Sequence, residues 1–180
     1  MTSGRVWKFG DNINTDLMLP TSLSYASEEA QMRGVFSANR PGWVDLVQPG
    51  DIIVGGRNYG IGSSRPAARS LRNLGLGCLL ADSINGLFYR NAVNYGFLAL
   101  ECPGVHAAFE EGQVADVLLT DWTIRNRASG VELKIMSIPD RLLAIVSGGG
   151  IFPLLEQQGA VSRDTLGQRR KAAPATAATD

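Results

Sequence analysis

The sequence predicts a mixed α/β fold with a small parallel βαβ core and added antiparallel strands. Two observations carry this. Short apolar runs at residues 51–54 (DIIV), 77–81 (GCLLA) and 97–100 alternate with two segments of helical apolar spacing, the pattern of parallel βαβ units with right-handed crossovers. After Pro103 the texture changes: residues 114–119 read as a strand, and residues 123–127 and 131–136 flank Ala-Ser-Gly as a hairpin.

Taken in order, the alternation in residues 5–9 (RVWKF) predicts a short first strand. The turn formers of residues 11–16 (DNINTD) lead to a brief apolar stretch, residues 17–20, that stops at proline. Residues 21–42 are polar and mixed, a long and partly helical excursion of a size that is often functional. The strand at 51–54 is entered through Pro49-Gly50. A helix running to Leu74 follows, with Pro66 in its first turn, Ser64 or Arg65 as its cap, and Ala67, Leu71 and Leu74 as its buried stripe. The second helix, residues 86–95, carries Phe88, Ala92 and Tyr95 on one face. Residues 139–146 predict a short helix stopped by Gly148-Gly149-Gly150, and residues 151–158 one or two last helical turns. The chain divides into one domain, residues 1–160, and a tail, residues 161–180, rich in Ala, Thr, Arg and Lys without periodicity and expected to be disordered.

Composition narrows the function. The 180 residues are 44% hydrophobic, enough for a sizeable core, and 17 basic residues balance 17 acidic ones. No basic surplus points to nucleic acid or to a membrane surface. No apolar run approaches the ~20 residues of a membrane span and the N-terminus lacks an apolar signal core, so a cytoplasmic protein is expected. Cys78 and Cys102 lie far apart, outside any CxxC arrangement, which fits a reducing compartment. With the single His106 they do not make a structural zinc or cluster site, so any metal must come mostly from elsewhere.

The chemistry concentrates in residues 55–65, a glycine-rich segment that leaves a buried strand and opens a helix, where backbone N–H groups and the helix dipole favour an anion. Gly60 and Gly62 permit a sharp turn and close approach to a ligand. Ser63 and Ser64 place hydroxyls at the helix mouth, and Arg65 adds a planar fork suited to a carboxylate or phosphate. A serine among N–H donors and beside a guanidinium can act as a base through its stabilised alkoxide. On residue types alone, a capped helix start and a phosphate loop remain open alternatives, although neither GxxxxGK[ST] nor GxGxxG is present.

Residues 58–65 (NYGIGSSR) resemble the NxGxGSSR segment of the aconitase superfamily's swivelling domain. Residues 14–20 (NTDLMLP) are similar to its TDxIxP segment and residues 81–96 (ADSINGLFYRNAVNYG) to its ADSFxxIFxxNxxNxG stretch. Residues 121–130 with 147–150 resemble its closing hairpin and Gly-Gly turn. The motifs follow the family's order across residues 6–158, and the length is that of the separate small subunits of 3-isopropylmalate dehydratase-like enzymes. The resemblance implies a swivelling β/β/α domain that closes over a large subunit. That subunit would hold a [4Fe–4S] cluster through its own cysteines, in an enzyme that dehydrates and rehydrates a hydroxy-dicarboxylate. By motif position Ser63 would be the base that removes the carbon-bound proton, with Ser64 and Arg65 on the substrate carboxylate and Asn58 and Gly62 in the same substrate-binding set.

Two departures from the family pattern stand out. Pro66-Ala67 replaces the Glu-His or Glu-Gln that usually follows GSSR. After Pro20, isopropylmalate and homoaconitate subunits commonly carry Tyr-Leu-Arg; here the segment is Thr21-Ser22-Leu23-Ser24-Tyr25-Ala26, and an ungapped alignment sets Tyr25 at the arginine. Tyr25 and Ser24 are thus the candidate pocket residues, with Arg33 as another group able to reach in. The substrate stays open between 3-isopropylmalate and another hydroxy-diacid such as 2,3-dimethylmalate or a methylmalate, and a non-catalytic anion-binding module of the same fold is the remaining alternative. Among other residues, Asp16 is expected to fix the turn before the loop, and Asn85, Arg90, Asn91 and Asn94 to support the active-site loop or form a polar face. Arg69 and Arg72 are expected at the surface or against the large subunit, and Trp7, Trp43 and Trp122 in core or interface.

Overall fold

In the computed structural model, which describes residues 2–63 and 65–161, the first strand, β1 (Thr2–Lys8), is the seam of the fold. Its second half, from Val6, pairs in parallel with β2 (Ile52–Gly55), and its first half pairs antiparallel with a strand from the other end of the chain. Between β1 and β2 lie two short helices, α1 (Thr15–Met18) and α2 (Glu28–Arg33), with 3-10 turns at Thr21–Leu23 and Trp43–Asp45. The chain continues through α3 (Ala67–Asn73), β3 (Cys78–Ala81), α4 (Gly86–Asn94), β4 (Ala99–Glu101) and α5 (Val105–Ala108). The antiparallel strands β5 (Val114–Leu118), β6 (Thr123–Asn126) and β7 (Glu132–Lys134) follow, then α6 (Asp140–Ser147) and α7 (Ile151–Gln157). The resulting sheet has the order β4-β3-β2-β1-β5-β6-β7, parallel from β4 to β1 and antiparallel beyond it.

The central parallel strands β2 and β3 read as unbroken apolar runs because both faces are covered. Trp7, Ile53, Leu79 and Ala99 point to one side, where they meet Leu71, Phe88 and Ala92 of the helical layer. Val6, Ile52, Val54, Leu80 and Leu100 point to the other, where Val105 and Phe109 join Ala115, Val117 and Ile124 of the antiparallel strands. The sheet curls to enclose this second core: Met136 N–H donates to Glu101 O at 2.8 Å, and the Cys102 thiol to Lys134 O at 3.4 Å. This is the expected mixed α/β architecture, with strand ends displaced by at most three residues.

Three local expectations need correcting, and one short helix is new. Pro66 is the N-cap of α3 and not a residue inside its first turn; its ψ of 25° and lack of a side-chain cap start the helix at Ala67 and leave Arg65 outside it. The short α5 was not foreseen, since Gly104 enters it in the left-handed conformation and four residues give no periodicity. Arg69 is no free surface group: its guanidinium donates to Gln31 Oε1 at 2.8 Å and pairs with Glu28 at 3.1 Å, tying α3 to α2. Arg33 pairs with Glu29 on the exposed side of α2 and is not among the residues that line the cleft described below. Trp7 and Trp43 are core residues, joined edge to face at 5.8 Å, and Trp122 packs partly buried against the second core. Asn85 caps α4 by accepting Leu87 N–H. The expected tail, apart from Val161, lies outside the described residues.

Candidate active site

The glycine-rich segment leaves the carboxyl end of β2 and lies between two other loops from the same edge of the sheet. On one side the parallel pairing of β1 and β2 continues past the strand ends. Asn12 N–H donates to Arg57 O at 2.8 Å, Gly60 N–H to Ile13 O at 2.7 Å and Thr15 N–H to Ile61 O at 2.8 Å. On the other side Tyr59 N–H donates to Ser83 O, Asn85 N–H to Tyr59 O, and Asn58 N–H to Ser83 Oγ. Bonded on both flanks, the segment is fixed up to Ile61 and delivers Ser63 and Arg65 from a rigid base. Open α/β sheets place ligand sites in this position, beyond the carboxyl ends of the strands.

Tyr59 anchors the segment from below. Its ring is fully buried and packs edge to face on Phe88 at 5.9 Å, and burial pushes its phenol pKa upward. Gly60 is fixed by the same contact: with φ of +82°, a Cβ there would stand 2.4 Å from Phe88 Cβ. Gly62 has φ of +107°, and a Cβ there would approach Thr15 Oγ1 to 2.9 Å.

Beyond Gly62 the chain meets the loop that follows Pro20. Thr21, Ser24, Tyr25, Ser63, Arg65 and Pro66 line an open cleft of about 270 Å³. The structure therefore brings Ser63 and Arg65 together with Ser24 and Tyr25, from loops some forty positions apart. Tyr25 is fully exposed at the mouth of the cleft. Asn58 and Gly62 are not among the lining residues. Asn58 adopts φ of +57° and turns its side-chain amide to Asn12 Oδ1 at 3.0 Å, so it braces the neighbouring loops. Ser64, the remaining member of the expected set, lies outside the described residues.

Arg65 is held from the opposite loop. Its Nη2 lies 2.6 Å from Asp16 Oδ1, and its Nη1 donates to Thr21 Oγ1 at 2.6 Å and to Leu19 O at 3.3 Å. Asp16 also accepts the Thr21 hydroxyl at 2.9 Å. The first helical turn of the chain puts Asp16 in this position, since Asn14 Oδ1 caps α1 by accepting Leu17 N–H. Asp16 thus fixes the turn, as expected, and is also the counter-ion of Arg65. Thr21 and this pairing escaped the sequence reading; the one signal for them was the placement of polar residues on either side of Leu17–Pro20.

The described residues offer no resident metal site. No three His, Cys, Asp or Glu side chains among them converge on one ion. Cys78 and Cys102 are buried free thiols, pushed up to about 12 and about 11, the reverse of what thiolate ligands require. No helix of the described residues is long and apolar enough to cross a membrane.

Residues 11–104 match the family model of the aconitase C-terminal domain. The isopropylmalate/citramalate isomerase small subunit of Methanocaldococcus jannaschii is 40% identical over 89% of this chain and 96% of its own length. The 3-isopropylmalate dehydratase small subunit 1 of Methanopyrus kandleri is 39% identical over 87% and 93%. A crystal structure of 3-isopropylmalate dehydratase from Methanocaldococcus jannaschii superposes with a TM-score of 0.81 at 26% identity, covering 94% of this chain and 98% of that one. Fold, motif order and likeness across nearly the whole length agree, and the chain belongs to the aconitase C-terminal domain family.

Proposed function

We propose that the chain is the small subunit of a hydro-lyase that dehydrates and rehydrates a hydroxy-dicarboxylate, with 3-isopropylmalate as its first substrate. The observation that carries this reading is the cleft in which Ser63 and Arg65 meet Thr21, Ser24 and Tyr25. Relatives named as small subunits of 3-isopropylmalate dehydratase and of isopropylmalate/citramalate isomerase support it.

In this reading Arg65 binds a substrate carboxylate with the N–H groups left free by Asp16, Thr21 and Leu19, and Ser64 adds a second contact. Ser63, as its alkoxide, takes the proton from the carbon next to a carboxylate. Such a proton is weakly acidic, so the base must be strong, and the Arg65 cation two residues away favours the serine's anionic form. The proton then resides on Ser63 Oγ and returns in hydration. Asn58 and Gly62 act indirectly, through the loop that they shape. The [4Fe–4S] cluster that the family implies does not fit the described residues of this chain, and we place it in the large subunit. Two buried free thiols accord with a cytoplasmic enzyme.

A single substrate is not dictated by the cleft. Among the described residues that line it, Arg65 is the one guanidinium, and a carboxylate already compensates it. With Tyr25 where relatives often carry arginine, a shorter diacid such as citramalate, 2,3-dimethylmalate or a methylmalate is the second reading.

The test is reconstitution. The purified chain should have no hydratase activity alone and should acquire it on mixing with its iron–sulfur large subunit; the hydroxy-diacids are then screened on the pair. Ser63→Ala should lower kcat by about 10²–10⁴-fold with assembly unchanged. Turnover by this chain without a partner, or an undiminished kcat in Ser63→Ala, would overturn the proposal.

A further inference from the structure

The loop that carries Ser24 and Tyr25 is seated on the first core by Leu23, and the backbone on either side of Tyr25 has an anchor of its own. The group that holds it is Gln31, the buried residue of α2, only 2% exposed. Its Nε2 donates to Ser24 O and to Ala26 O, each at 3.1 Å, so the two carbonyls that bracket Tyr25 share one amide. Its Oε1 accepts from Arg69 Nη2 at 2.8 Å. Arg69 in turn pairs with Glu28 at 3.1 Å and lies 5.6 Å from the Tyr95 ring centroid. Arg69 lies in the first turn of α3, which follows directly on Arg65 and Pro66, so a continuous chain of contacts links the two walls of the cleft: α3, Arg69, Gln31, then the backbone on either side of Tyr25.

A glutamine suits this place for a reason of chemistry. Two carbonyl acceptors demand a group with two N–H donors, and a guanidinium on the far side demands an acceptor; a primary amide supplies both in one plane. Glutamate has nearly the same shape, but it would turn a carboxylate oxygen toward two carbonyl oxygens while keeping its bond to Arg69.

We infer that Gln31 is a positioning residue for the substrate loop, fixing Ser24 and Tyr25 against the cleft so that the loop discriminates between hydroxy-diacids. This rests on the reading of the cleft as the substrate site. Ser27 Oγ caps α2 by accepting Ala30 N–H, which keeps the helix that carries Gln31 in register whatever stands at position 31.

The experiment has two arms. In the isolated full-length chain, Gln31→Glu should speed amide hydrogen exchange in residues 21–27 by about tenfold, while exchange in α3 and β2 stays as in wild type. Gln31→Met, which also lacks the donors, should do the same. Unchanged exchange in both variants overturns the clamp, whether or not any enzyme activity is found. In the reconstituted pair, Gln31→Glu should raise KM for 3-isopropylmalate by about tenfold with little loss of kcat, and should shift the ratio of kcat/KM between 3-isopropylmalate and citramalate. A faster-exchanging loop with unchanged KM and an unchanged ratio overturns the role in discrimination. If the wild-type pair turns over no hydroxy-diacid, the functional reading fails by itself, and the exchange arm still decides the clamp.

Discussion

The carboxylate of Asp16 lies 2.6 Å from Arg65 Nη2, so the guanidinium at the wall of the cleft already has an anionic partner before any ligand arrives. The Arg65 side chain is 10% exposed and that of Asp16 56%, which makes the pair half-desolvated and competitive with an incoming carboxylate. Asp16→Asn keeps an acceptor for Arg65 but removes the competing charge. KM for the diacid should then fall, by up to about fivefold, a change of about 1 kcal/mol. Asp16→Ala removes the acceptor as well, leaves Arg65 less oriented, and should lower kcat/KM by about tenfold. Steady-state kinetics of the reconstituted pair separate the two, and a raised KM in Asp16→Asn would contradict this account.

Gly60→Ala should destabilise the fold strongly. The added methyl would enter the Phe88 side chain at 2.4 Å, on a backbone with φ of +82°. The cost is about 2–4 kcal/mol, the sum of overpacking and left-handed strain. Gly86→Ala is the matched control, since a Cβ there meets nothing within 4 Å. Thermal unfolding of the two variants should show a Tm drop of several degrees for the first and nearly none for the second.

Asp116 gives stability a pH dependence of known sign. Hydrogen bonds from Arg127 and from Ser3 hold its pKa at about 2, below the ordinary 3.8. A folded pKa below the unfolded one contributes stability that is complete above about pH 4 and is lost as the pH falls toward about 2. The Arg127 side chain is more than half exposed, so the contribution is small and screened by salt. Urea midpoints of wild type and Asp116→Asn should differ at pH 6 and converge near pH 2. A gap that widens on acidification would reverse the assignment.

Both thiols should resist alkylation in the folded chain. Cys78 is fully buried with its pKa pushed up to about 12, and Cys102 donates its S–H to Lys134 O. Iodoacetamide at pH 8 should label neither at an appreciable rate until urea unfolds the protein, when both react. Rapid native labelling would show that the curled sheet opens locally around them.

The part of the parallel core formed by β2, β3 and β4 was legible because these strands lie in apolar runs and each crossover between them is a helix of regular spacing. Ser63 and Arg65 were legible for a local reason, since glycines, hydroxyls and a guanidinium fall within one short motif. Tyr25 was placed by alignment of that same family pattern. What escaped the sequence depends on partners far along the chain. Arg69 looks like a surface cation until α2 brings Gln31 and Glu28 to it from about forty positions upstream. Gln31 is a polar residue in a six-residue helix, too short to display a buried face. Pro66 fits a first helical turn by its φ alone, and only ψ, which the residue type does not fix, makes it the cap instead.

The outer strands of the sheet, β4 and β7, are three residues each, and the bond from Met136 N–H to Glu101 O ties their margins together. Neither margin offers a long row of idle backbone donors and acceptors that a foreign strand could annex. A second chain docking on this one must therefore grip it by side chains and loops, a mode of attachment that leaves the backbone ladder intact when the two separate. The same closure guards the chain against stacking edge to edge on copies of itself.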